Sequence, residues 1–511
     1  MTPNKISRRD FLQVLGVGSA ALWLSSCLPK GINPSLLDAG GGIPFDNPDI
    51  EISLKAAPGQ VNLFPGKATS VWRYQGEVLK GADDVLTTIP NSYLGPILHF
   101  KKGQNVRIHF TNALPESSII HWHGLHVPVE ADGHPRLAID PGETYIYDFM
   151  VANRAGMYWY HPHPHGRTAP QVYAGLAGLL MVHDDEETAL GLPSGEFDVP
   201  LVIQDRAFNN ANQLAYGGMG MMDQMMGFLG DQILINGRPD FLLPVKTHPY
   251  RLRLLNGSNS RIYKMAWQDG TPLVVMGTDG GLLEKPVERS FITLAPAQRV
   301  ELWVDFSDHA VGDTRQMISL LFAAFGGEAA YPVFTAKIEQ QVEPYGVLPA
   351  HLSRISGHSL EDVVNHNSPR SFQLAMGRGM SWMINGRTFD MKDVAREEVV
   401  RLGDLEVWEF ENVLGAGMGM MGGMNLPHPM HIHGLQFQVL ERQVSSVGRA
   451  AWETLQPGFV DEGWHDTVLV MPGEKVKVLL KFEDFTGLYL YHCHNLEHED
   501  MGMMRNYRVE G

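Results

Sequence analysis

The sequence predicts an all-β protein of three successive β-sandwich or Greek-key barrel domains. Three observations carry this. Charged residues are only 19% of the 511 residues, while glycine and proline together number 86 (54 and 32), a mix that suits short strands and turns rather than long helices. Short alternating segments recur, such as Asn105-Val106-Arg107-Ile108-His109-Phe110. One element is also written three times: Pro141-Gly142-Glu143 before TYIYDF, Pro296-Ala297-Gln298 before RVELWVDF, and Pro472-Gly473-Glu474 before KVKVLLKF.

Each copy reads as a turn feeding a strand that ends in Phe. The spacings of 155 and 176 residues match the size of one domain. A second echo, Ile235-Asn236-Gly237-Arg238 and Ile384-Asn385-Gly386-Arg387, reads as a hairpin turn. Linkers fall at 183–199, which is acidic, and at 341–370, which is polar with Pro344, Pro349 and Pro369. The expected domains are therefore 45–185, 196–340 and 365–511.

Residues 1–27 read as an address. Ser7-Arg8-Arg9-Asp10-Phe11-Leu12 precedes an apolar run from Val14 to Leu24, the pattern of a twin-arginine export signal. The run is too short to span a bilayer, and no second stretch is long enough. Leu24-Ser25-Ser26-Cys27 resembles a bacterial lipobox with Cys27 as the lipidated residue; simple signal-peptidase cleavage is the alternative. The expectation is an exported protein, periplasmic or in the cell envelope, that uses the twin-arginine machinery and is a monomer. Removing residues 1–26 changes the net charge from -17 to about -19, which argues against nucleic acid as a partner. Two cysteines exclude a disulfide scaffold.

Ten of the 22 histidines lie in four clusters: His121 and His123; His161 and His163; His428, His431 and His433; and His492, His494 and His498. On a strand, residues i and i+2 share a face about 7 Å apart, so a His-x-His pair offers two imidazoles to adjacent metals. Four such pairs give eight imidazoles, enough for three metal ions. Cys493, between His492 and His494, points to the other face. With His428, His498 and Met503 it supplies the thiolate, two imidazoles and thioether of a blue-copper electron-transfer site. Zinc is the rival metal, but the CxxC spacing of closed zinc sites is absent.

These motifs resemble those of the multicopper oxidases, which include laccases, bilirubin oxidases and bacterial copper-efflux oxidases. The resemblance runs from about residue 50 to the end. It implies three cupredoxin-like barrels and four copper ions: a type 1 copper on His428, Cys493, His498 and Met503; a type 2 copper on His121 and His431; and two type 3 coppers on His123, His161, His163, His433, His492 and His494. The trinuclear site would lie between the first and third domains. The implied reaction takes four single electrons through the type 1 site, by way of Cys493, to reduce dioxygen to two waters. The resemblance also offers Asp132 and Glu499 as proton-relay carboxylates and Asp466 as a residue orienting a ligand imidazole. His126 and His165 are expected to solvate or support the site without ligating; His99, His109, His183, His248 and His309 look structural.

The 25 methionines also cluster: Met219, Met221, Met222, Met225 and Met226; Met376, Met380 and Met383; and Met418, Met420, Met421 and Met424. Glycine alternates with them, so these stretches read as flexible loops. Soft thioethers select Cu(I). The third group precedes His428, and similar segments cover the type 1 site in copper-efflux oxidases. The expected donor is therefore Cu(I), with the third group as its site. Phenols and aromatic amines, as in a laccase, are the alternative. The family's long Met/His insert is much reduced here. A copper store or a copper-free cell-division scaffold are the non-enzymatic readings, and the intact ligand set argues against both.

Overall fold

The computed structural model describes residues 46–217, 220–377, 381–415 and 425–511. The twin-arginine segment, Cys27 and all four of Met418, Met420, Met421 and Met424 lie outside the described residues. The described chain is mostly strand, and its α-helices are only five or six residues long. None is long and apolar enough to cross a membrane.

Six sheets fall into three pairs along the chain. The thrice-written element occupies one place in each pair. Strands Thr144–Met150, Arg299–Asp305 and Glu474–Lys481 run antiparallel to Asn105–Asn112, Pro249–Asn256 and Leu405–Asn412. Those partners in turn run parallel to Ile50–Val61, Asp198–Arg206 and Arg370–Met376. The period-2 pattern explains the burial: in Asn105–Asn112 every second residue is buried. Asn236 and Gly237, like Asn385 and Gly386, have positive φ at both positions, as a tight two-residue hairpin turn requires.

Each pair of sheets encloses its own core, around Ile52, Phe110 and Trp122, around Leu254, Ile292 and Leu302, and around Trp408, Phe437 and Val478. Burying each such side chain stabilises by roughly 1.5–3 kcal/mol. Further apolar clusters join the units: Val71, Trp159, Leu255 and Ala297 at one junction, and Ile262, Phe322, Phe459 and Leu469 at the other.

Two Met groups depart from the expected loops. Met221–Met226 is a short α-helix, and Met376 and Met383 lie on the paired strands Arg370–Met376 and Trp382–Ile384. The physical reason is local. Met221-Met222-Asp223-Gln224-Met225-Met226 contains no glycine, and Met and Gln are good helix formers.

Candidate metal centre

The histidine pairs sit at the ends of strands that pair with each other. Strand Ile120–His123 lies antiparallel to Gly156–Pro162 with His121 opposite His161. Strand His428–Ile432 lies antiparallel to Gly487–Cys493 with His431 opposite His492 and Met430 opposite Cys493. Only His121 and His123 both lie within a strand; His163, His433 and His494 fall one residue past a strand end. The local chain there still turns each second imidazole toward its neighbours.

The eight imidazoles of the four pairs converge and are buried. Nearest nitrogens are His121 Nε2 and His431 Nε2 at 3.3 Å, His163 Nε2 and His492 Nε2 at 3.3 Å, and His433 Nε2 and His492 Nε2 at 3.0 Å. His494 packs against His123 and His161, with ring centroids 5.0 and 5.3 Å apart.

Oxygen acceptors on the far side of six of the eight rings set their tautomers. His121 Nδ1 donates to the Asp132 carbonyl at 2.6 Å, His161 Nδ1 to that of Pro162 at 3.0 Å, His431 Nδ1 to that of Asp466 at 2.7 Å and His492 Nδ1 to that of Cys493 at 3.1 Å. His433 Nδ1 donates to Asp132 Oδ2 at 2.9 Å. His123 is reversed: its Nε2 donates to Asp466 Oδ1 at 3.0 Å. Each bond spends the ring's one N–H and leaves the other nitrogen with a lone pair. His123 Nδ1, His161 Nε2, His163 Nδ1 and both nitrogens of His494 have no hydrogen-bond partner.

A second cluster lies beyond Cys493. Its Sγ is 3.5 Å from His428 Nδ1 and 3.8 Å from His498 Nδ1, and those two nitrogens are 3.2 Å apart. Met503 is buried in the same apolar core as Cys493, and its carbonyl accepts the Cys493 N–H. His498 rides on the short helix Leu496–Asp500, which Asn495 caps through the His498 N–H. His498 Nε2 donates to the Met225 carbonyl at 3.1 Å, so the helix Met221–Met226 sits against this site.

These residues fit metal ions. Bare imidazole nitrogens 3.0–3.3 Å apart repel unless a cation lies between them. Burial pushes His161 down to about 4 and His428, His431 and His492 down to about 3, so all are neutral, as ligands must be. Burial pushes the Cys493 thiol up, so only a bound cation would ionise it. Soft sulfur beside two imidazoles suits copper.

Two carboxylates border the cluster. Asp132, fully buried, holds His433 and lies 3.7 Å from His121 Nδ1 through Oδ1. Glu499 lies 3.6 Å from His163 Nε2 and 3.2 Å from His492 Nδ1 and accepts from Thr168 Oγ1 at 2.7 Å. Burial pushes both carboxyls well above their usual range, keeping them protonated at higher pH than free carboxylates. Asp500 caps the helix Thr168–Tyr173 through the Thr168 and Ala169 N–H groups. Thr168, Asp500 and the Met225 carbonyl escaped the sequence reading because nothing local marks them.

Seven of the twelve other histidines, those singled out in the sequence, are placed as follows. His126 bridges the Gly434 carbonyl and Asp484, at 2.6 and 2.9 Å, and His165 packs on Phe389. His99 and His183 stack on each other, and His109 pairs with Glu51. His248 stacks on Phe197, and His309 packs edge-on against Phe306.

Comparison with known proteins agrees with this geometry. Family models described as multicopper oxidase match residues 71–187 and 363–511. The multicopper oxidase mco of Staphylococcus aureus is 32% identical over 89% of this chain and 88% of its own length. The laccase of Bacillus subtilis is 29% identical over 88% of this chain and 89% of its own. The crystal structure of the McoA multicopper oxidase of Aquifex aeolicus superposes with a TM-score of 0.77 at 35% identity, covering 92% of this chain and 99% of that one. The chain belongs to the multicopper oxidase family: its barrels are cupredoxin-like, its cofactor is copper and it is an oxidoreductase.

Proposed function

We propose that this oxidase takes its electrons from Cu(I), releasing Cu(II) as the product, and passes them to dioxygen, with phenols and aromatic amines as secondary donors. One observation carries the choice of donor. The helix Met221–Met226 rests its Met225 carbonyl on His498, and the methionine-dense segment 418–424 leads directly into His428. A methionine-rich helix thus lies against His498, a second methionine-rich stretch precedes His428 in sequence, and thioethers favour Cu(I) over harder metal ions.

The proposed ligand sets are His428, Cys493, His498 and Met503 for type 1, His121 and His431 for type 2, and His123, His161, His163, His433, His492 and His494 for the type 3 pair. Bound copper supplies one-electron oxidation of the donor and four-electron reduction of dioxygen to water. The protein's own part is to fix imidazole orientation, exclude water and supply protons. Asp132 and Glu499, both buried against the imidazoles, are suited to hold and release those protons. The twin-arginine segment supports export of the folded protein, with Cys27 as a lipid anchor.

The test is dioxygen consumption by the copper-loaded protein with Cu(I) against a phenolic donor, repeated with Met418, Met420, Met421 and Met424 changed to Leu. Preference for Cu(I) that is lost in the variant is the expected result. Phenol turnover that dominates and survives the changes identifies a laccase. No dioxygen uptake with either donor identifies a store or scaffold.

A further inference from the structure

We propose that Arg299, on the middle barrel that supplies none of the proposed ligands, is a positioning residue of the dioxygen site. It fixes Asp466, and through Asp466 it sets the orientation and bare nitrogen of both His123 and His431. The proposal rests on the copper assignment above and is independent of which donor the enzyme uses.

Arg299 is fully buried, which a guanidinium tolerates only when its donors are satisfied. Its five N–H groups meet five acceptors drawn from three parts of the chain. Nε donates to the Met157 carbonyl at 3.1 Å. Nη1 donates to the Ala297 carbonyl at 3.2 Å and to Asp466 Oδ1 at 2.8 Å. Nη2 donates to the Asp279 carbonyl at 2.9 Å and to Asp466 Oδ2 at 2.6 Å. The fork on Asp466 is bidentate, a geometry a lysine cannot reproduce.

Asp466 passes that constraint on. Its Oδ1 accepts from His123 Nε2 at 3.0 Å and Thr467 Oγ1 at 3.0 Å, and its carbonyl accepts from His431 Nδ1 at 2.7 Å. One residue therefore orients two imidazoles whose rings stack 3.7 Å apart. It also leaves His123 with Nδ1 bare, the reverse of His121, His161, His431, His433 and His492.

The middle barrel grips the same segment on both sides. The Trp464 carbonyl accepts from Gly280 N at 2.9 Å and Thr278 Oγ1 at 3.0 Å, and the Thr467 carbonyl accepts from Gln298 Nε2 at 3.1 Å. Space is reserved as well. Gly124, just after His123, has φ +87, and a Cβ there would come within 2.4 Å of Asp466 Oδ2 and 2.8 Å of Arg299 Nη2.

The experiment uses the full copper-loaded chain with Arg299→Gln, Arg299→Lys and Asp466→Asn. It reads copper content, the blue absorbance of the type 1 site, the type 2 electron paramagnetic resonance signal, and the rate at which the fully reduced protein is reoxidised by dioxygen. The expected result is blue absorbance retained in all three, an altered type 2 signal, and reoxidation slowed about 10–100-fold, the usual effect of losing an outer-shell partner. Arg299→Lys should recover part of the rate, and the Arg299→Gln, Asp466→Asn double variant should be no slower than Asp466→Asn alone. A type 2 signal and reoxidation within twofold of the parent would overturn the proposal. So would loss of type 1 and type 2 signals in parallel with a lowered melting temperature, which marks an interdomain staple only. If Arg299→Gln does not fold, the near-isosteric Asp466→Asn decides by the same readouts. If the parent takes up no dioxygen, the activity assignment fails, and the type 2 signal alone still decides the role of Arg299.

Discussion

Seven imidazoles here, six in the large cluster and His498 beyond it, donate from one ring nitrogen to an oxygen, which leaves the opposite nitrogen with its lone pair. Asp132 serves two of them, His121 through its carbonyl and His433 through its carboxylate. Asp132→Asn keeps an acceptor for His433 but removes the ionisable group. Steady-state dioxygen reduction should fall about 10²-fold while blue absorbance is retained, as stopped-flow and optical spectra would show. Cys493→Ser removes the soft ligand. Blue absorbance should disappear and turnover fall to background while the far-ultraviolet circular dichroism stays that of the parent. The ligand types were legible in the sequence because a His-x-His or His-Cys-His spacing is local. Arg299 was not: within Pro296-Ala297-Gln298-Arg299 it looks like the start of any strand, and its partner is 167 residues away.

The elements that carry these side chains are held by turns with little tolerance. Gly133, next to Asp132, has φ +84, and a Cβ there would lie 2.0 Å from the Ile120 carbonyl on the strand that bears His121. Gly133→Ala should therefore lower type 2 copper occupancy before it lowers the copper content of the Cys493 site, measured by metal analysis with paramagnetic resonance. The linker after the first barrel is not passive either. Its helix Asp185–Ala189 presents Glu187 to Arg251 at 2.6 Å, Arg253 at 3.2 Å and His183 at 3.1 Å. Although burial opposes ionisation, these partners prevail and hold the Glu187 carboxyl well below its usual range. A depressed carboxyl stabilises above its unfolded value and loses that contribution as pH falls toward the folded one. Glu187→Gln should cost about 3 kcal/mol at neutral pH, and the deficit should narrow as pH drops through and below about 4, read from urea unfolding. The sequence showed this stretch only as acidic, and the strength of its pairing depends on two arginines of the next sheet. The Met221–Met226 helix was hidden in a similar way, because glycines on either side suggested a loop.

Across the whole molecule, the repeated Pro-Gly-Glu or Pro-Ala-Gln turn and strand made the triple architecture readable, since each copy occupies the same place beside an antiparallel and then a parallel partner. That the first and third barrels share a site was implied by the resemblance, but how the middle barrel joins them was not readable, because its junctions depend on scattered apolar residues and on single side chains such as Arg299. With the proposed ligands, copper would tie the first and last barrels together across bare nitrogens that repel when alone. Its removal by chelation should lower the melting temperature by about 5 °C or more, with the loss confined in calorimetry to the transition of those two barrels.

The order in which the ligands leave the ribosome has its own consequence. His121 and His431 meet at 3.3 Å although 310 positions separate them, and His492, Cys493, His494, His498 and Met503 all fall within 492–503. With the proposed ligands, neither copper site is complete until that segment has been made. A chain cut short before His492 would lack the thiolate and could not turn blue. Colour would then report that synthesis had passed Met503, before any substrate is added.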